Sequence, residues 1–324
     1  MLPDSPENQK NVFVSELKVG DEVRSAFVIT SISLREYERG KFLSLRLGDA
    51  TGKINAVLWD GAEEAARRLE EGNLVAIHGK VNSYQNEPQI TIKSIRGIED
   101  PTGLSPKDFL PVSTVPLETL VEEFDRVVAE VADEDYKRLL AVFRADAVLW
   151  NAYQHAPGAK NWHHPHLHGL LEHTLSVMKQ CRLIAPFYPR VDSDLLLAGA
   201  VFHDLGKTEE LVYDYRIDYS TDGRLLGHVF IGAEIAVRLM DRAEPFPKEK
   251  RRLLLHLILS HHGEVERSPI LPMTLEACLL HHLENMDAQM AAIVREMNKA
   301  RSAGNAWTGY VNLIDRFLYL GENP

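Results

Sequence analysis

The chain has 324 residues, 45% hydrophobic and 26% charged, enough apolar material for about two globular domains that need no disulfide or metal staples. Its formal net charge of −11 counts against a bulk electrostatic nucleic-acid binder, but leaves room for a locally basic groove or for metal ions that supply the positive charge. Two cysteines, Cys181 and Cys278, exclude a disulfide framework and a four-cysteine zinc site, and read as thiols in a reducing cytoplasm. Met1–Lys10 shows no basic region leading into an apolar run, and no apolar stretch reaches the ~20 residues that span a bilayer, so the expectation is a cytoplasmic protein with no membrane partner.

In chain order, the first hundred residues are β-rich. Val23–Ser33 and Phe42–Leu47 alternate apolar and polar side chains, Asp49–Gly52 is a turn, and Lys53–Trp59 is a third strand. Asp60–Glu71 switches to a helical pattern that Gly72 ends. Leu74–Val81 and Gln89–Ile95 follow as strands around an Asn82–Pro88 hairpin. Five strands with a helix between the third and fourth is the order of an OB-fold barrel. The run LRLGDATGKINAVLWDG, with EEGNLVAIHGKVNSYQNEPQITIKSI after it, resembles OB modules of anticodon-binding and single-strand-binding proteins. Pro101–Pro116 carries four prolines and reads as a linker, and from Leu117 onward the pattern is helical. The helices expected are Leu117–Ala132, Glu134–Phe143, Leu170–Ile184, Asp194–Leu205, Ile231–Asp241, Lys248–Ser260 and Leu275–Arg301. The domain plan is therefore residues 1–100 as the barrel, 101–116 as linker and 117–324 as an all-α domain. Exposed helices near the C-terminus leave room for a homo-oligomer.

Histidine is unevenly spread: of 14, only His78 lies in the first 150 residues. In the helical part His173, His203-Asp204, His228, His261-His262 and Asp287 each sit in or beside an apolar helical stretch. Any one of them could be an ordinary core residue, but a buried aspartate needs an ion pair or a metal. Five such segments in one domain point to a shared site. Imidazole plus carboxylate without thiolate suits Mn, Fe, Co, Ni or Zn. An aspartate bridging two ions roughly 3.5–4 Å apart can activate water and stabilise an in-line displacement at phosphorus.

His173, His203-Asp204 and Asp287 resemble the H…HD…D signature of HD-domain phosphohydrolases. The run GAKNWHHPHLHGLLEHTLSVM, preceded by an OB-fold, resembles the YhaM-type 3′→5′ exoribonucleases from about Phe13 to Tyr319. That resemblance implies that His173, His203, Asp204 and Asp287 hold a first ion. Asp204 would bridge to a second completed by His228 and His261, with His262 as a further ligand or substrate contact. Mn is the metal expected first, with Co, Fe, Ni or Zn as the others. Lys207 is placed to reach a phosphate oxygen, or else is a cation suited to a helix C-terminus. Lys160, His163 and His164 would bind substrate phosphate or orient ligands. His166 and His168 depart from the pattern as spare ligands or exposed rings, and His281 and His282 read as surface positions.

On the barrel, Tyr37, Phe42, Trp59 and Tyr84 are the candidates for base stacking, although Phe42 and Trp59 fit the barrel core equally well. Arg35, Arg39, Lys41, Arg46 and Lys53 form a basic run through the first hairpin. The reading that follows is a metal-dependent 3′→5′ exoribonuclease acting on single-stranded RNA, with single-stranded DNA as the other candidate strand. Two alternatives stand beside it. One is a phosphohydrolase of small or cyclic nucleotides whose OB-fold serves assembly. The other is a non-catalytic nucleic-acid-binding protein.

Overall fold

The computed structural model describes residues 9–38, 40–264, 268–302, 304–312 and 314–321. Arg39 of the basic run and residues 1–8 of the N-terminal segment lie outside these described residues. The chain divides into two compact units, one reaching to Val112 and including Tyr213–Ile217, the other formed by Ser113–Val212 and the residues from Asp218 onward.

In the first unit five strands close into a barrel, β1 (Glu22–Tyr37), β2 (Gly40–Asp49), β3 (Gly52–Leu58), β4 (Leu74–Tyr84) and β5 (Glu87–Gly97), in the order β1-β2-β3-β5-β4. Only the β3–β5 pairing is parallel. Strand alternation turns Leu43, Leu45 and Leu47 inward, where they meet Phe27, Ile54, Ile77 and Ile90. β1 runs past the predicted Ser33 to Tyr37. A register shift between Ile29 and Ser31 bends it, so its first half pairs with β4 and its second with β2. The mostly polar end of this strand carries no apolar alternation, which is why the sequence did not reveal it. The helix α1 (Ala62–Arg68) is shorter than predicted, because Gly61 opens it in a left-handed conformation (φ 73°) and Leu69 is already extended.

A buried ion pair ties the N-terminal segment to this barrel. Lys10 donates to Asp49 at 2.7 Å, and Asp49 also accepts from the Val14 amide and from both donors of Thr51. Burial pushes the Lys10 pKa down, although Asp49 opposes it. Within the proline-rich segment Phe109 and Leu110 are buried. Phe109 is buried against Ala26, Val28 and Leu74, and Tyr215 packs edge-on against its ring.

The second unit is helical: α2 (Leu117–Val128), α3 (Glu134–Ala145), α4 (Ala147–His155), α5 (Gly169–Ile184), α6 (Ser193–Phe202), α7 (Lys207–Glu210), α8 (Thr221–Arg242), α9 (Lys248–Ser260) and α10 (Leu275–Ser302). Two-residue strands β6 (Leu211–Val212) and β7 (Asp218–Tyr219) pair between α7 and α8. α4 was not predicted because it begins one residue after α3. Asp146 ends α3 and caps α4 by accepting from the Leu149 amide, so no loop composition separates them. α8 starts ten residues before the expected Ile231, with a non-helical break at Gly227 (φ 73°, ψ 155°) that interrupts the apolar period. The core is aromatic, built on Phe124, Phe143, Tyr153 and Phe202. The Tyr153 hydroxyl donates to the Val201 carbonyl and lies 2.9 Å from Thr174 Oγ1, which fixes α5 and α6 against α4. Among the described residues no helix is long and apolar enough to cross a membrane.

Candidate metal centre

Four helices bring side chains to one buried point. His173 stands on the first turns of α5, His203 and Asp204 follow α6, His228 lies on α8 just past the Gly227 break, and His261 and His262 follow α9. Close packing requires glycine where α7 meets α8. A Cβ on Gly206 would stand 2.0 Å from the His228 carbonyl oxygen.

Asp204 is 1% exposed and faces two groups of imidazoles. Its Oδ2 lies 3.6 Å from His173 Nε2 and 3.3 Å from His203 Nε2. Its Oδ1 lies 3.5 Å from His228 Nε2 and 3.7 Å from His261 Nε2. His262 joins the second group, with Nε2 3.0 Å from that of His228. Within each trio, His173–His203–Asp204 and His228–His261–His262, the ligand atoms fall within 4.8 Å of one another.

The outer nitrogens decide the tautomers. His203 Nδ1 is 2.8 Å from the Ala200 carbonyl and His261 Nδ1 is 2.7 Å from that of Ile258, and a carbonyl can only accept. His173 Nδ1 meets Asp287 Oδ2 at 2.7 Å, and His228 Nδ1 meets Glu210 Oε1 at 2.9 Å. Each Nδ1 therefore carries a proton, and the Nε2 of each ring is turned inward. The Nε2 atoms of His173 and His203 lie 3.3 Å apart and those of His228 and His262 3.0 Å apart, so each pair must share either a proton or a cation. His261 Nε2 and Asp204 Oδ1 are buried with no hydrogen-bond partner among the described residues. These are the marks of a donor set that fits a divalent metal ion.

The electrostatics agree. Burial alone would raise the Asp204 carboxyl, but Lys207, His203 and His228 hold it well below the carboxylate range. Burial and the neighbouring rings, His262 first, push His261 well below the usual imidazole range, and His262 itself falls to about 3 through burial and then His228. His203 runs the other way: burial disfavours its charge, but Asp204 outweighs burial and raises its pKa.

Not every expected residue joins the ring. Asp287 stands behind His173, accepting from its Nδ1 and also from Ser176 and Gln180, so both oxygens are used away from Asp204. One turn earlier on α10, Glu284 is 5% exposed, with no hydrogen-bond or ion-pair partner among the described residues. Burial raises its pKa, and its chief electrostatic neighbours are His173, Asp204 and His203. The sequence signal was present, since Glu284 shares the helix face of Leu280 and Asp287. Glu210 was missed as well. It accepts from both the backbone amide and Nδ1 of His228, 18 residues away, a separation no local pattern reveals.

Lys207 donates to Asp204 Oδ2 at 2.6 Å and is buried. Lys160 pairs with Asp218 at 2.6 Å, beside the Tyr219 ring. His163 is buried with its ring centroid 4.6 Å from that of His173, and His164 lies 5.5 Å from it. Among the described residues His163 Nδ1 and His164 Nδ1 have no hydrogen-bond partner, and these two rings form a third ligand-spaced group with His173. His166 and His168 are neither spare ligands nor free rings. His166 pairs with Glu172 at 2.9 Å, and His168, buried at the start of α5, bonds to the Gln154 carbonyl. His281 bonds to the His261 carbonyl, while His282 is exposed.

On the barrel Tyr37, Phe42 and Trp59 converge, with ring centroids of Trp59 5.1 Å from Tyr37 and 4.8 Å from Phe42. Tyr37 and Trp59 are 44% exposed and Phe42 is half-buried, so these rings form an open aromatic face rather than core. Tyr84 is exposed at the far hairpin, apart from them. Lys41 of the basic run pairs with Glu63 at 2.9 Å.

Comparison with known proteins adds to this geometry. The HD domain family matches residues 170–289, and an OB-fold nucleic acid binding domain family matches residues 28–98. The 3′-5′ exoribonuclease YhaM of Bacillus velezensis is 32% identical over 88% of this chain and 90% of its own length. That of Bacillus subtilis is 31% identical over 88% and 90%. A domain of replication protein A from Methanococcus maripaludis is 26% identical, with a TM-score of 0.25, over 28% of this chain and 98% of its own. That score is too low to bear on function. With two family matches falling on the barrel and on the His/Asp helices, and relatives aligned through nearly nine-tenths of the chain, this protein belongs to the YhaM family of 3′-5′ exoribonucleases.

Proposed function

We propose that this protein is a metal-dependent 3′→5′ exoribonuclease whose barrel holds single-stranded RNA and whose helical unit hydrolyses the phosphodiester. The observation that carries the reading is Asp204, which turns one carboxylate oxygen to each of two imidazole groups. We assign His173, His203 and Asp204 to a first ion, with Glu284 as the further carboxylate, and Asp204, His228, His261 and His262 to a second. Asp287 then serves by holding the His173 tautomer. Manganese is the ion proposed first, with Co, Fe, Ni or Zn as substitutes that the same donor set accepts. When bound, such ions supply Lewis acidity and an activated water for displacement at phosphorus.

The chain's own groups do the rest. Burial of the centre excludes bulk water and strengthens the attraction of the site for a phosphate. Lys207, beside Asp204, carries a cation toward a non-bridging phosphate oxygen. His163 and His164, at ligand spacing from His173, donate or accept at the scissile phosphate. Lys160 steadies the loop through Asp218. The Tyr37–Phe42–Trp59 face stacks bases, and Tyr84 on the β4–β5 hairpin offers a separate contact; single-stranded DNA suits the same face. We assign residues 1–100 to strand binding and 117–324 to hydrolysis.

Substrate length tests the reading. An oligoribonucleotide should be cleaved with a kcat/KM at least about tenfold above that for a cyclic dinucleotide, since each base stacked on an aromatic ring contributes ~1–3 kcal/mol. Preference for the cyclic dinucleotide would assign the enzyme to small nucleotides instead.

A further inference from the structure

Beyond the metal centre, the end of α10 and the chain after it enclose a cavity of about 560 Å³ lined by Trp162, Arg295, Lys299, Asn305, Tyr310 and Asn312. Trp162 directly precedes His163, whose ring packs on His173. One residue therefore separates the cavity wall from the centre. Arg295 secures that loop by donating to the Asn161 carbonyl, and its other nitrogen pairs with Glu296 at 3.2 Å. Lys299 is exposed and has no ion-pair partner among the described residues, in a protein of net charge −11.

The tail that forms the far wall is braced. Backbone bridges join Trp307 to Tyr319 and Val311 to Arg316. The Tyr310 hydroxyl donates to Asp315, and its ring packs edge-on to Phe317 at 5.2 Å. Tyr310 is nevertheless 49% exposed, so a fixed ring presents an open face to the cavity. The wall carries two aromatic rings, two cations and two amides beside Glu296 and Val311. Because Glu296 is paired with Arg295, the rings, Lys299 and the amides are left to match a base face, a phosphate and a base edge.

We propose that this cavity is a nucleotide subsite of the helical unit. The base of a nucleotide upstream of the scissile linkage stacks on Trp162 or Tyr310, while Lys299 meets the neighbouring phosphate. The inference rests on the reading of the protein as a single-strand nuclease, and deepens it by giving the strand a second hold outside the barrel.

The experiment compares Lys299→Glu and Tyr310→Ala with the parent protein on a ribotetranucleotide and on bis(p-nitrophenyl) phosphate, a small ester that reaches the metal centre alone. The expected result is a KM for the tetranucleotide raised about tenfold in each variant, with kcat little changed. The loss of kcat/KM on the tetranucleotide should exceed that on the ester by the same factor. Equal losses on both substrates, or none on either, would overturn the subsite. So would an altered sedimentation coefficient with an unchanged KM, which would make the tail an assembly surface. Failure of the parent protein to cleave the tetranucleotide at all, while still cleaving the ester, would instead sink the nuclease reading beneath it.

Discussion

At the scale of single residues, the proposed centre leans on groups outside its ligand set. Glu210 holds the His228 ring through Nδ1 and its backbone through the amide. Replacing Glu210 with Ala should weaken the second metal equivalent about 10–100-fold, while the first equivalent binds nearly as before. Glu210→Gln should recover most of the loss, because its amide oxygen still accepts. Titration calorimetry reads both, and equal weakening of both equivalents would contradict the assignment. The imidazoles also set an acid limit in the metal-free protein. His163, His164, His261 and His262 all have lowered pKa values, chiefly from burial, with His164 at about 4 and His262 at about 3. Unfolded histidine titrates near ~6.5. Below that value the unfolded chain takes up protons that these folded rings refuse, so their stability is complete above ~pH 6.5 and lost as pH falls toward their folded values. His203, with its raised pKa, opposes this, but four rings outweigh one. The urea midpoint of metal-free protein should therefore fall between pH 7 and pH 5, and an unchanged midpoint would refute the argument.

Elements show where the sequence was legible and where it was not. Alternation in β2 and the apolar periods of α5, α6 and α9 marked both the barrel and the helices that carry His173, His203-Asp204 and His261-His262. Burial follows such periods directly. α4 and the first half of α8 were hidden, one by a helix start without a loop and the other by the break at Gly227. Asp287 against Glu284 was undecidable by period alone, since both lie on the buried face of α10, and only tertiary contacts with Ser176 and Gln180 separate them. The Lys10–Asp49 pair was invisible because its partners are 39 residues apart. Removing one side of a buried pair strands the other charge. Asp49→Ala should accordingly destabilise the barrel by about 3–5 kcal/mol in urea denaturation, whereas a loss under ~1 kcal/mol would mean that water reaches Lys10.

For the whole molecule, the proposed function requires a chain of net charge −11 to hold a polyanion by confining its attractive features to small places. These are an aromatic face on the barrel and a buried centre whose cations come from solution. The order of the two units was readable from composition, because histidine gathers in the helical part and alternation in the first hundred residues. Metal identity was not readable, since the same imidazoles and carboxylates accept several ions. The most direct test of the account is hydrolysis of a 5′-labelled single-stranded RNA by metal-stripped protein, with and without added Mn²⁺. The account predicts no cleavage without metal and, with it, a ladder that shortens from the 3′ end. Cleavage that persists in the stripped protein, or products that shorten from the 5′ end, would contradict it.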